Sequence, residues 1–118
     1  MNDIIEKFVN KTISNVYVNG ELVFSFTDGT RLHVSDDGQS CCENRYMTTD
    51  DNLSYYSGAQ FLGLEVVDGG RIDSDYDCHD TQFLIVGTSK GSFTCVTHNE
   101  HNGYYGGFWI QARTSYWN

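Results

Sequence analysis

The chain has no proline, no long apolar run and few cations, and each shortage excludes something. Reversals without proline fall to glycine and to Asn or Asp, and twelve glycines beside eight tyrosines and seven phenylalanines suit strands and tight turns rather than a helical bundle. No stretch approaches the roughly 18 to 20 apolar residues of a membrane-spanning helix. Met1-Asn2-Asp3 lacks the basic and apolar regions of a signal peptide, so the expected location is the cytoplasm, where cysteines stay thiols or bind metal. Seven Lys and Arg against sixteen Asp and Glu, a net charge of −9, leave no basic face to neutralise phosphates and exclude direct nucleic-acid binding. A basic protein surface is the electrostatic complement.

What is present reads as one mainly β domain over residues 1–118, α+β by element count. Ile4, Ile5, Phe8 and Val9 recur at helical spacing and predict a short helix over Asp3 to Lys11, with Asn2 or Asp3 as cap. Asn19-Gly20 and Asp28-Gly29 separate three apolar runs, the signal of a meander. With two-residue loops, Tyr17 faces Leu22, Val23 faces Val34 and Phe24 faces His33, and both faces of the sheet carry apolar residues. A compact sandwich or a partly open barrel follows; a bulge at Asp28-Gly29 would reverse His33. Residues 36–58 are irregular and polar. Further strands are expected at Phe61 to Val67, stopping at Asp68-Gly69-Gly70, at Phe83 to Val86, at Phe93 to Thr97 after a three-residue Ser89-Lys90-Gly91 loop, and at Tyr104 to Ile110 after Asn102-Gly103.

The chemistry gathers around Ser40-Cys41-Cys42-Glu43, because adjacent residues of a plain strand point to opposite faces and two neighbouring thiols need another reason. Cys41, Cys42, Cys78, His79, His98 and His101 are candidate zinc ligands: His98 and His101 have close to the spacing of C-terminal ligands in zinc modules, and Cys78/His79 is the competing pair. A mixed thiolate and imidazole set favours zinc over calcium or magnesium. Asp73, Asp75 and Asp77 resemble the opening of an EF-hand, yet Cys78 and Leu84 stand where that loop needs glycine and glutamate, which rejects calcium in that mode. Those aspartates are instead candidate contacts for a basic partner, with Tyr104 and Tyr105 as aromatic anchors.

Phe26-Thr27-Asp28-Gly29-Thr30, Ser40-Cys41-Cys42-Glu43, Thr88-Ser89-Lys90-Gly91 and Asn102-Gly103-Tyr104-Tyr105, in this order, resemble a family of small phage and bacterial proteins of unassigned function that carries a C-C-E motif and a late N-G-Y-Y element. The chain departs from it at His98 and His101, where the family commonly has tryptophan and serine. The resemblance implies a phage or prophage origin and, by analogy of origin and charge, a host-defence inhibitor of the anti-CRISPR kind acting in the bacterial cytoplasm. The expected function is a non-enzymatic, zinc-stabilised binding protein that covers a basic surface of a Cas nuclease and keeps nucleic acid from loading. The alternatives are a small metal-dependent hydrolase with an open zinc site and Glu43 as base, or a β-domain that captures a small ligand.

Overall fold

Asn19-Gly20 and Asp28-Gly29 reverse the chain as expected, but each loop holds three residues rather than two. The computed structural model describes residues 1–38, 43–73, 78–101 and 107–117, apart from the side chains of residues 72 and 73. In it β1 (Ile13–Val18), β2 (Leu22–Phe26) and β3 (Thr30–Asp36) form an antiparallel meander. Val18 pairs with Leu22, Tyr17 with Val23, Leu22 with Val34 and Val23 with His33. Gly20 and Gly29 close the loops with φ of 71° and 88°, a region open to glycine without steric penalty. The extra residue shifts both registers by one and corrects the expected faces. Val16, Leu22, Phe24, Phe26, Leu32 and Val34 share the core, and Tyr17, Val23 and His33 take the opposite face.

The last strand of this first sheet starts later than expected, at Ile110. It is preceded by Gly107–Trp109, which are not strand, while residues 104–106 lie outside the described residues. The strand pairs with β3, giving the order β1-β2-β3 and then Ile110–Tyr116. A polar chain ties it on: His33 Nδ1 is 2.8 Å from Glu21 Oε1, His33 Nε2 is 2.6 Å from Ser115 Oγ, and Arg113 Nη2 donates to Glu21 Oε1 at 2.9 Å.

The second sheet holds β4 (Glu43–Thr48), β5 (Phe61–Asp73), β6 (Cys78–Thr88) and β7 (Gly91–His101) in the antiparallel order β4-β7-β6-β5; Ile110–Tyr116 is therefore β8. At 13, 11 and 11 residues, β5, β6 and β7 exceed the expected strands. Asp68-Gly69-Gly70, read as a stop, is a bulge inside β5, with Gly70 at φ 86°. A Cβ on Gly69 would collide with the Thr81 hydroxyl, so the close approach of β6 requires glycine there. Thr88 pairs with Gly91, which leaves a two-residue Ser89-Lys90 turn in place of the three-residue loop. Residues expected to be irregular supply β4 and a 3₁₀ turn, Leu53–Tyr56. The N-terminal helix α1 covers only Asn2–Glu6, without the expected side-chain cap, and Asn10 at φ 74° takes the chain out of helical geometry.

The sheets face each other as an open sandwich over a phenylalanine cluster. Phe24 lies 5.1 Å from Phe61, 6.2 Å from Phe26 and 6.3 Å from Phe93 between ring centroids, and all four rings are buried. Among the described residues no helix is long and apolar enough to cross a membrane. Phe24→Ala removes the ring that touches the other three and is expected to cost about 3 to 5 kcal/mol in urea unfolding. A loss below about 1 kcal/mol would mean the two sheets do not share this core.

Candidate functional site

Along β7 the inward side chains are Phe93, Cys95, Thr97, Asn99 and His101, all buried, so the inner side of this strand changes from apolar to polar without becoming wet. Register extends the change into rows across the sheet. Arg45, Asn99, Asp80 and Arg71 form one row, and Glu43, His101, Cys78 and Asp73 form the next. Buried polar groups at this density are stable only when satisfied, which makes their partners informative.

Arg45 bridges two carboxylates. Its Nη1 donates to Asp36 Oδ2 at 2.8 Å and its Nε to Glu43 Oε2 at 2.7 Å, with 8% of the arginine side chain and 4% and 3% of the acids exposed. Burial works against the guanidinium charge, and the two carboxylates outweigh it, so its pKa is raised. In the same row Arg71 Nε donates to Asp80 Oδ1 at 2.5 Å, and His101 Nε2 lies 2.8 Å from Asp80 Oδ2. These groups hold the strap of residues 107–109 that leads from the second sheet into β8. Gly107 N–H donates to Asp80 Oδ2, Gly107 C=O accepts from Asn99 Nδ2 and Arg45 Nη1, and Trp109 N–H donates to Asp36 Oδ1 at 2.8 Å. Beside the strap a cavity of about 480 Å³ is lined by Asp68, Arg71, Asp80, Gln82 and Phe108, among others. Among the described residues Gln82 Oε1, Thr97 Oγ1 and Asn99 Oδ1 are buried without a hydrogen-bond partner, and the three residues are neighbours in this register.

The sequence-derived candidates divide by face. His98 and His101 lie on opposite faces of β7, and Cys78 and His79 on opposite faces of β6, so neither pair serves a single ion as expected from spacing. The fold brings together Cys78 with His101, cross-strand partners on the inner face, and His79 with His98 on the outer face, where their ring nitrogens are 2.9 Å apart. Cys41, Cys42, Asp75, Asp77, Tyr104 and Tyr105 lie outside the described residues, and of Asp73 the backbone alone is described. No group of three or more His, Cys, Asp or Glu among the described residues is arranged to hold an ion. Cys95 belongs to the core, where burial pushes its thiol up to about 11 and keeps it protonated. Glu43, the base of the hydrolase alternative, is the carboxylate paired with Arg45.

Sequence reading missed Asp36, Arg45, Asp80 and Asn99. The signal was the alternation Thr97, Asn99, His101 continuing the inward positions of Phe93 and Cys95, which apolar periodicity does not register. It also missed Glu21-His33-Ser115, whose connectivity is that of a carboxylate, imidazole and hydroxyl triad. His33 is 8% exposed, Glu21 is engaged by Arg113, and Arg31, opposite Ser115, turns its Nε to Ser25 Oγ. We assign this chain to holding β8 against β3.

Asp80 makes the polar rows sensitive to acid. The Arg71 hydrogen bonds, against burial and with help from His101 and the Gly107 N–H, pull its carboxyl from 3.8 down to about 2. A lowered carboxylate pKa contributes stability above the unfolded value, and that stability is lost as pH falls through about 2. Discounted for the solvent around Arg71, wild-type stability is expected to fall by roughly 1 to 2 kcal/mol more than that of Asp80→Asn between pH 5 and pH 2 in denaturant titrations. Parallel pH profiles would contradict the assignment.

No curated protein and no solved structure matches the chain. Residues 6–109 match a family described as a domain of unknown function, DUF7448, and that span takes in both polar rows, the strap and seven of the eight strands among the described residues. The chain belongs to this family of domains of unknown function, DUF7448.

Proposed function

We propose that the chain is a phage- or prophage-encoded acidic binding protein that covers a basic surface of a bacterial nucleic-acid-handling defence effector. It acts in the host cytoplasm as an anti-CRISPR protein does, keeping nucleic acid from loading onto a Cas nuclease by stoichiometric blocking rather than turnover. The observation that carries the reading is convergence at one end of the second sheet. β4 begins, β5 ends, β6 begins and β7 ends in a single row, Glu43, Asp73, Cys78 and His101. The sequence segments with Cys41 and Cys42, with Asp73, Asp75 and Asp77, and with Tyr104 and Tyr105 therefore all join the sheet at that row. Trp109, 64% exposed at the end of the strap, adds an aromatic anchor beside it. Aspartates on a chain of net charge −9 steer association with a basic surface.

Zinc is the cofactor proposed for this end, with Cys78 and His101 as cross-strand donors and Cys41 and Cys42, just ahead of Glu43, as the others. A closed four-ligand site supplies a cross-link between strands and no catalysis. Protein purified without tag or chelator is expected to contain about one zinc per chain, lost in Cys42→Ser together with thermal stability. Zinc-free wild-type protein would remove the cofactor from the proposal. For the binding itself, reversing Asp73, Asp75 and Asp77 to lysine is expected to slow association with a purified Cas nuclease by about tenfold or more at low salt, and the wild-type rate to fall steeply as salt rises. Equal association rates for both proteins would overturn the electrostatic reading.

The cavity by the strap favours a second reading, capture of a small ligand. Gln82 lines it, Asp68 and Asp80 add carboxylates, and Phe108 adds a ring, a set suited to a small ligand rich in N–H donors.

A further inference from the structure

The outer face of the second sheet carries a histidine pair that the binding reading does not use. His79 on β6 and His98 on β7 are diagonal neighbours: in register, His79 stands opposite Glu100 and His98 opposite Thr81. Their rings meet with His79 Nε2 2.9 Å from His98 Nδ1. His98 is held from its other side, with Nε2 2.8 Å from Thr48 Oγ1, and Tyr46 stacks on the ring at 4.5 Å and 10° between planes. Tyr46 is itself fixed, donating to Glu100 Oε1 at 3.0 Å, and Asn44 donates to the other oxygen of that carboxylate. Both imidazoles are half-buried, so a ligand reaches the pair from solvent.

We propose that His79 and His98 form an open chelate for a divalent transition-metal ion, with copper(II) preferred over zinc and solvent completing the coordination. The bite distance carries the argument. Two nitrogens 2.9 Å apart, each about 2.0 to 2.1 Å from an ion, enclose an angle of about 90° at the metal, whereas a tetrahedral ion would need a separation of about 3.3 Å. A right angle is the cis arrangement of tetragonal copper(II), which also leads the divalent affinity order at nitrogen sites. In either tautomer of His98 a single proton lies between the two nitrogens; the ion displaces it to solvent and sits to one side of the N···N line, so the rings turn from their hydrogen-bonded orientation to aim both nitrogens at it. Thr48 plays the outer partner that fixes a ligating imidazole, and Tyr46 locks the ring plane. The Glu100 carboxylate is spent on Tyr46 and Asn44 and adds negative charge near the ion rather than a ligand bond.

This site uses none of Cys41, Cys42, Cys78 or His101, so it stands or falls separately from the structural zinc. The test adds copper(II) to the full chain as purified, with its zinc content measured before and after. Paramagnetic broadening of the His79, His98 and Tyr46 resonances is expected at about one equivalent, with two-nitrogen coupling in the electron paramagnetic resonance spectrum. His79→Gln and His98→Gln should each weaken copper(II) binding by at least about tenfold with the unfolding midpoint and zinc content unchanged. Thr48→Val should weaken it by about tenfold through His98 orientation alone. Broadening centred elsewhere, or affinity retained in both glutamine variants, would overturn the assignment. Should both variants unfold, the wild-type resonances that broaden and the nitrogen count still decide it.

Discussion

The inner face of the second sheet runs out of apolar cover before its strands end, and the buried charges that take over set the rest of the structure. Strands of 11 and 13 residues extend past a first sheet whose strands are five to seven residues long. The strap of residues 107–109 crosses the part beyond and must find partners for its own peptide groups. Arg45 between Asp36 and Glu43, and Asp80 between Arg71 and His101, provide those partners and pair each guanidinium with carboxylates in doing so. The Arg45 pairs are buried, and a buried pair adds little net stability against an apolar replacement, but losing one member leaves a charge unpaired at a cost of several kcal/mol; Arg71, 44% exposed, is screened by solvent and its pair contributes less. The geometry of the strap, and with it the entry of β8 into the first sheet, depends on these pairs.

The domain has two unlike ends in consequence. The phenylalanine cluster fixes how the sheets face each other and leaves little for a partner to recognise. The other end joins four strand termini, an exposed tryptophan and a polar cavity. A rigid scaffold that brings connecting segments together at one edge is the usual arrangement of a recognition surface. The histidine pair lies on the opposite face of the same strands, because successive residues of β6 and β7 alternate between faces. One strand pair thus presents two separate sets of donors.

The reversals were legible in the sequence because Asn-Gly and Asp-Gly name a turn, but the dipeptide does not say whether the loop holds two residues or three. That single residue decided which face Tyr17, Val23 and His33 occupy. Strand length was hidden at Asp68-Gly69-Gly70, where glycines that read as a stop are held in the ladder by a bulge and by close contact with Thr81. The polar rows were hidden for a different reason. Apolar periodicity finds Phe93 and Cys95 and is blind to Thr97, Asn99 and His101, which occupy the same inward positions and are equally buried. The Cys-Cys-Glu stretch led to Glu43, which the fold places in the buried polar rows, though not to its partner Arg45. Spacing failed for His98 and His101, since three residues along a strand change face where three along a helix would not.

Amide hydrogen exchange at Gly107, in the wild type and in Asp80→Asn, tests most directly whether the buried charges hold the strap. The Gly107 N–H donates to the Asp80 carboxylate, and the Trp109 N–H donates to Asp36, in a separate ion pair. Slow exchange at both amides in the wild type, with Gly107 accelerated by about tenfold or more in Asp80→Asn and Trp109 little changed, is the predicted result. Fast exchange at Gly107 in the wild type, or equal rates in the two proteins, would contradict it and leave the strap and the candidate site without their physical basis.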